Sequence, residues 1–163
     1  MGETLKGDGP PLLAVEPGYK NVLRARSAIV WGLLTAGAFV ADFVFLKEFA
    51  AGDLLPTAVL VVGLSMILYV PERIYRRLRY RLTDRLLQVL RGWLFHTDTV
   101  VPLVRVQHLD VIRGPLDKMF GTASLVVHTA GTLNSTVVVP GLSPQNAAQI
   151  RDAIREHVRS DFE

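Results

Sequence analysis

None of the 163 residues is a cysteine. Disulfides, thiolate metal sites and a cysteine nucleophile are thereby excluded. Charge is scarce as well: Asp, Glu, Lys and Arg make up 20% of the chain against 50% hydrophobic residues, and the mean hydropathy is +0.31. That balance is too apolar for an ordinary soluble domain. A lipidation signal is missing, since "MGETLK" has Lys6 where an N-myristoylation motif carries Ser or Thr. A cleaved signal peptide is not expected. The first apolar run starts at residue 27, exceeds the ~7–15 residues of an h-region, and has no small-x-small exit.

Two runs hold the apolar excess. Ser27 to Leu46, "SAIVWGLLTAGAFVADFVFL", has a single charge, Asp42. At ~1.5 Å rise per residue it spans the ~30 Å of a bilayer core. Leu54 to Val70, "LLPTAVLVVGLSMILYV", has none, with Pro56 near its start and Pro71 closing it. Neither shows the polar stripe of a surface helix. Joined only by "KEFAAGD", the runs form a helical hairpin over residues 19–71, with spans at about 27–46 and 54–70. Lys20, Arg24 and Arg26 precede the first span, and Arg73, Arg76, Arg77, Arg79 and Arg81 follow the second. The connecting loop has only Lys47. Positive-inside counting therefore puts both termini in the cytoplasm. The net charge of +3 and pI of about 9.5 reflect largely this juxtamembrane set, so no nucleic-acid partner is expected.

Residues 1–18 are rich in Gly and Pro and read as a mobile leader. Beyond Pro71 the period changes. In "RRLRYRLT", Leu78, Tyr80 and Leu82 alternate with Arg77, Arg79 and Arg81, the pattern of a half-buried strand. "RLLQVLRG" is apolar and ends at Gly92, and "WLFHTDTVV" reads as two short strands. "VRVQHLDVIR" is a long extended run, and "ASLVVHTA" and "TVVVP" flank a polar turn, "GTLNS". Then "LSPQNAAQIRDAIREHVR" switches to helix. Ser143 is a good N-cap and Pro144 a good first residue, and Ala147, Ile150, Ile154 and Val158 share a face. Six or seven short strands and a terminal helix, over residues 72–163, suit a small barrel or sandwich with a helical cap.

"YRLTDRLLQVLRGWL", "VPLVRVQHLDVIRGPLDKMFGTASLVVHTAG" and "VPGLSPQNAAQIRDAI" resemble the bacterial pleckstrin-homology-like, membrane-flanked domain family of the YdbS type, over roughly residues 73–157. The departures are slight: Val106 stands where that family often has isoleucine, Lys118 where it has arginine, and Thr122 where it has a larger apolar residue. The resemblance implies a membrane α-helical hairpin carrying a small, mainly-β, pleckstrin-like split barrel with a C-terminal capping helix. It also implies residence in the bacterial cytoplasmic (inner) membrane and pairing with a larger membrane protein bearing related domains. It implies no catalytic activity and no cofactor.

"QHLDVIRGPLDKMFG" carries the densest chemistry. Strand alternation over Val104–Ile112 puts Val104, Val106, His108, Asp110 and Ile112 on one face. A His108–Asp110 acid/base pair, joined by His128 or His96, is one reading, and a metal held by His108, Asp110 and His128 is another. No nucleophile or oxyanion motif stands nearby. The favoured expectation is framework: the pair hydrogen-bonds strand ends and the adjoining turn, where Leu116, Met119 and Phe120 tuck inward and Gly121 takes a left-handed closing position. No catalytic, cofactor-binding or metal-binding residue is therefore assigned. Asp42 lies four residues from the end of its run, close enough to reach the interface or Lys47. Gly32/Ala36 and Gly37/Ala41 have the spacing of close helix packing. Arg73, Arg76, Arg77, Arg79 and Arg81 are candidate membrane-surface contacts. The expected function is a non-enzymatic membrane protein whose domain serves assembly with a related membrane protein or a second copy. Its alternatives are an anionic-lipid headgroup sensor and the metal-dependent enzyme.

Overall fold

The computed structural model describes residues 11–46, 54–93, 95–130 and 136–160. The first ten residues, the loop from Lys47 to Asp53 and the turn "GTLNS" lie outside them, and with them the expectations placed there.

Helix α1 runs from Gly18 to Ala41 and continues as a π-helical stretch over Asp42–Leu46. Helix α2 runs from Leu54 to Arg77 and packs along it. Both are long and apolar enough to cross a membrane. Two of their hydroxyls bond back within the helix, Thr35 donating to the Trp31 carbonyl at 2.8 Å and Ser65 to that of Val61 at 2.9 Å. This spares the lipid phase an unpaired donor. The close approach is not at the expected glycines. Gly63 of α2 receives the ring of Trp31, whereas Gly32 and Gly37 face open space. The bulk of Trp31 sets the contact: a Cβ at Gly63 would lie 3.1 Å from its ring, tighter than an ordinary van der Waals contact. Beside it remains an apolar groove of about 420 Å³, lined among others by Gly32, Thr35, Ala36 and Ile67.

Pro71 does not close α2. It sits buried inside the helix, which runs on to Arg77. Proline forfeits one helical hydrogen bond; one residue on, Glu72 gathers ion pairs from Lys20 and Arg24 of α1 and from Arg76. Arg77 is thus the last helical residue, and the strand begins only at Arg79.

The soluble part is two antiparallel sheets. Strands β1 (Leu13–Ala14), β2 (Arg79–Leu82), β3 (Leu86–Gly92) and β4 (His96–Pro102) form the first in that order. The "WLFHTDTVV" segment therefore gives one strand rather than two. Strands β5 (Val106–Ile112), β6 (Ala123–Thr129) and β7 (Thr136–Leu142) form the second. A 3₁₀ turn, Leu103–Arg105, breaks the chain between β4 and β5. Helix α3 is Pro115–Met119, and α4 is Pro144–Ser160, capped as expected by Ser143, whose hydroxyl accepts from the Asn146 N–H at 3.1 Å. Ala147 and Ile154 of α4 are fully buried, while the side chain of Val158 is outside the described set. This is the architecture of a pleckstrin-like domain: two small sheets closed by a C-terminal helix.

Alternation along β5 fails at one point. Val106 pairs with Thr129 and His108 with His128, so two steps on β5 oppose one on β6, and Gln107 is bulged out. The bulge reverses the parity of the strand. Val106 packs on the core with Leu109 and Val111, and His108 and Asp110 face out. Val104 falls in the 3₁₀ turn and is exposed. The face shared by Val104, Val106, His108, Asp110 and Ile112 is therefore not formed. In β2, by contrast, Leu78 just before it and Tyr80 are buried as the alternation requires. Burial holds the Tyr80 phenol above its ordinary range.

The core does not stop at the sheets. Val15, Tyr19 and Val22 belong to the same cluster as Leu87, Val127 and Ile154. The segment expected as a mobile leader supplies part of this: β1 pairs with β2, Val15 is 3% exposed, and the Glu16 N–H donates to the Gly141 carbonyl at 2.7 Å. Gly141 has φ +73°, and a Cβ there would lie 2.6 Å from the Tyr19 ring. Gly18 is equally pressed, against the Phe120 carbonyl. The first turns of α1 are thus built into the domain.

Candidate functional site

The outer face of β5 and β6 brings together three of the side chains singled out in the sequence. His108 Nε2 lies 2.9 Å from Asp110 Oδ1, and His128 Nε2 lies 3.3 Å from Asp110 Oδ2. His108 and His128 are cross-strand partners with ring centroids 5.8 Å apart, and Asp110 is two residues along on the same face. One carboxylate is thus held between two imidazoles, an oxygen to each. Donation by both Nε2–H groups leaves His128 Nδ1 to accept from the Thr136 hydroxyl at 3.3 Å. All three are solvated, at 68%, 44% and 40% side-chain exposure for His108, Asp110 and His128.

The convergence is real, but it is a hydrogen-bonded chain. A metal needs donor lone pairs aimed at one point ~2.0–2.2 Å away, and here both nitrogens aim at the carboxylate. Among the described residues no group of three His, Asp or Glu side chains is placed to hold a metal ion. His96 is in the other sheet, paired opposite Gly92. Neither His108 nor Asp110 bonds the turn, so that part of the framework expectation is corrected.

The residue that holds the turn is Asp117, 4% exposed and unremarked in the sequence. Its Oδ1 accepts from the Thr122 hydroxyl at 2.8 Å and its Oδ2 from the Gly114 N–H at 3.1 Å, with Arg26 of α1 3.9 Å away. Leu116 and Phe120 pack on the core and Gly121 is left-handed at φ +68°, as expected. Met119 instead points outward, 74% exposed. The signal available in the sequence was an aspartate three residues after Gly114, at the N3 position of a short helix.

The arginine run divides. Arg73, Arg76 and Arg77 are on the last turns of α2. Arg77 donates to the Trp93 carbonyl at 3.0 Å, tying the β3–β4 turn to the helix. Arg79 and Arg81 are on β2. Arg79 donates to the Leu78 carbonyl at 3.0 Å, and Arg81 to the Gln88 side-chain oxygen at 2.6 Å, while Gln88 donates to Asp98 at 2.7 Å. Asp42 opens the π-helical stretch with Oδ1 buried and unpaired among the described residues; Lys47 lies outside them.

Two apolar helices lead into sheets of four and three strands, closed by a helix. The model of the family described as "Bacterial PH domain" matches residues 27–158. The chain belongs to this family. The match takes in α1 from residue 27 and the whole of α2. The chain is also similar to the UPF0699 transmembrane protein YdbS of Bacillus subtilis (strain 168), 26% identical over 152 residues, which are 91% of this chain and 94% of that one. No solved structure matches it significantly. The protein is thus a YdbS-like membrane protein with a bacterial PH domain.

In this bacterial PH domain, the charge cluster that sequence reasoning missed is at the mount of the domain on its hairpin. Glu72 lies 3.3 Å from Lys20 Nζ, 3.7 Å from Arg24 Nη2 and 2.9 Å from Arg76 Nε. Lys20 also lies over the Tyr75 ring, 5.9 Å from its centroid. The one signal in the sequence was a lone acid in the basic stretch "PERIYRR".

Proposed function

We propose that the protein is a non-catalytic assembly subunit of the bacterial cytoplasmic membrane, multi-pass, with both termini in the cytoplasm. Its PH domain docks on a larger membrane protein with related domains, or on a second copy of itself. The observation that carries this reading is the shared core. Because Tyr19 and Val22 of α1 are buried among the strands, the domain is held at fixed height and orientation above the bilayer. A domain that samples lipids or soluble ligands is served by a flexible tether, whereas one that docks on another membrane protein gains from a rigid mount, since less freedom is lost on binding. The outer edge of β4, unpaired among the described residues and unbulged over its seven residues, offers backbone groups to such a partner. Affinity purification of the tagged full chain from native membranes in mild detergent tests this. A stoichiometric membrane protein, or a pair of tagged and untagged copies, is expected; a monomer with no stoichiometric protein overturns it.

A further inference from the structure

We propose that Lys20, Arg24 and Arg76 form a binding site for the phosphate of an anionic phospholipid, shared between α1 and α2. The site stands on different observations from the assembly reading and does not depend on it.

Three cations from two helices surround one carboxylate, Glu72. Two positive charges are left over once Glu72 is neutralised; Lys20, Arg24 and Glu72 are partly exposed, with side chains at 31%, 40% and 28%, and Arg76 is exposed. Arg24 Nε is buried and has no hydrogen-bond partner among the described residues. A buried guanidinium donor without an acceptor is costly, and a guanidinium matches phosphate oxygens in geometry as well as charge.

Depth selects the ligand. The apolar runs end at Ser27 and Val70. At ~1.5 Å per residue, Arg24 and Glu72 lie about 3–5 Å beyond the hydrocarbon edge, inside a headgroup layer about 5–7 Å thick. Lys20 and Arg76 are further out, about 9–11 Å beyond that edge, but both side chains reach Glu72, that of Arg76 back over one helical turn. Phosphate is the anion present in quantity at that depth, and basic pockets between helices at this level suit anionic headgroups. A carboxylate-bearing protein partner would have to enter the same layer.

The test is a titration of the full-length protein in mild non-ionic detergent, with bound lipid counted by native mass spectrometry. Phosphatidylglycerol should bind in preference to phosphatidylcholine. Lys20→Gln and Arg24→Gln should each weaken it about fivefold, and Arg79→Gln, bonded to backbone on the sheet, should not. The sign at Glu72 is diagnostic: Glu72→Gln removes the competing carboxylate and should tighten phosphatidylglycerol binding, whereas a merely structural cluster would lose it. Should Arg24→Gln fail to purify, Arg76→Gln at an exposed position carries the same test, with Arg76→Lys retaining binding. Equal binding of the two lipids, or unchanged binding in the glutamine variants, overturns the proposal. So does full competition by inorganic phosphate at the lipid's own concentration, which would mark a site for free anions.

Discussion

Asp110 and Asp117 are seven residues apart and behave oppositely. Asp117 is buried and accepts two hydrogen bonds that close the α3 turn. Asp117→Ala leaves the Gly114 N–H and the Thr122 hydroxyl without acceptors. A loss of about 1–3 kcal/mol is expected, read as a lowered denaturation midpoint of the full chain in detergent. Asp110 is solvated, and exposed pairs are worth about 0.2–1 kcal/mol. His108→Ala and Asp110→Ala should therefore leave that midpoint nearly unchanged, and a fall as large as that of Asp117→Ala would show that the exposed chain is structural after all. The i, i+2 spacing made the His108–Asp110 pair legible in the sequence. The third member, His128, came only as a candidate, because the register that sets it opposite His108 is decided by the whole sheet. Asp117 was illegible for a related reason: its partners are backbone and a threonine whose positions exist only once the turn is closed.

At the level of elements, local periodicity carried far. Both apolar helices, the buried side of β2, the Ser143 cap and the left-handed Gly121 all follow from residues within a turn or two of one another. What local reading could not supply was the bulge at Gln107 and the passage of α2 through Pro71, since each is settled by a neighbouring element. The bulge makes a sharp prediction. Deleting Gln107 restores simple alternation, with Val106 still inward and His108 still outward, so the shortened chain should fold and melt close to the parent. Deleting Leu109 shifts parity beyond the bulge, turns Asp110 toward the core and Val111 away from it, and should abolish folding; a one-residue slip moves every side chain to the other face. Thermal melts of the two deletions in detergent decide it. Gly141→Ala should also be costly, by more than about 1 kcal/mol from the left-handed backbone alone, with the Tyr19 contact added. Trimming the ring in Tyr19→Ala should then lessen the harm of Gly141→Ala, a coupling that a double-mutant cycle measures.

For the whole molecule, the shared core decides what can be cut. A fragment starting at Arg73 keeps every strand from β2 onward but loses Val15, Tyr19 and Val22. Each buried apolar side chain is worth about 1.5–3 kcal/mol, and a domain has only about 5–15 kcal/mol in all. The fragment should be unfolded or aggregated by circular dichroism and gel filtration, while the full chain is folded; a soluble, cooperatively melting fragment would contradict this. Lipid binding therefore has to be measured on the intact protein. Single cysteines at Gly52 and Ser160, in a chain that has none, should differ in intact cells: an impermeant thiol reagent should label Gly52 and spare Ser160.

The sharing of Tyr19 and Val22 also bears on how the protein is made. These residues precede the first span, and the strands that bury them follow the second. In the proposed two-span topology both spans have to be threaded, an even number of crossings, before the two halves meet on one side. A chain that stalls after one crossing, or inserts α1 alone, strands Tyr19 across the bilayer from Gly141, and its sheets stay incomplete. On that topology, completion of the fold would report on membrane insertion, because a misthreaded chain would leave this core open.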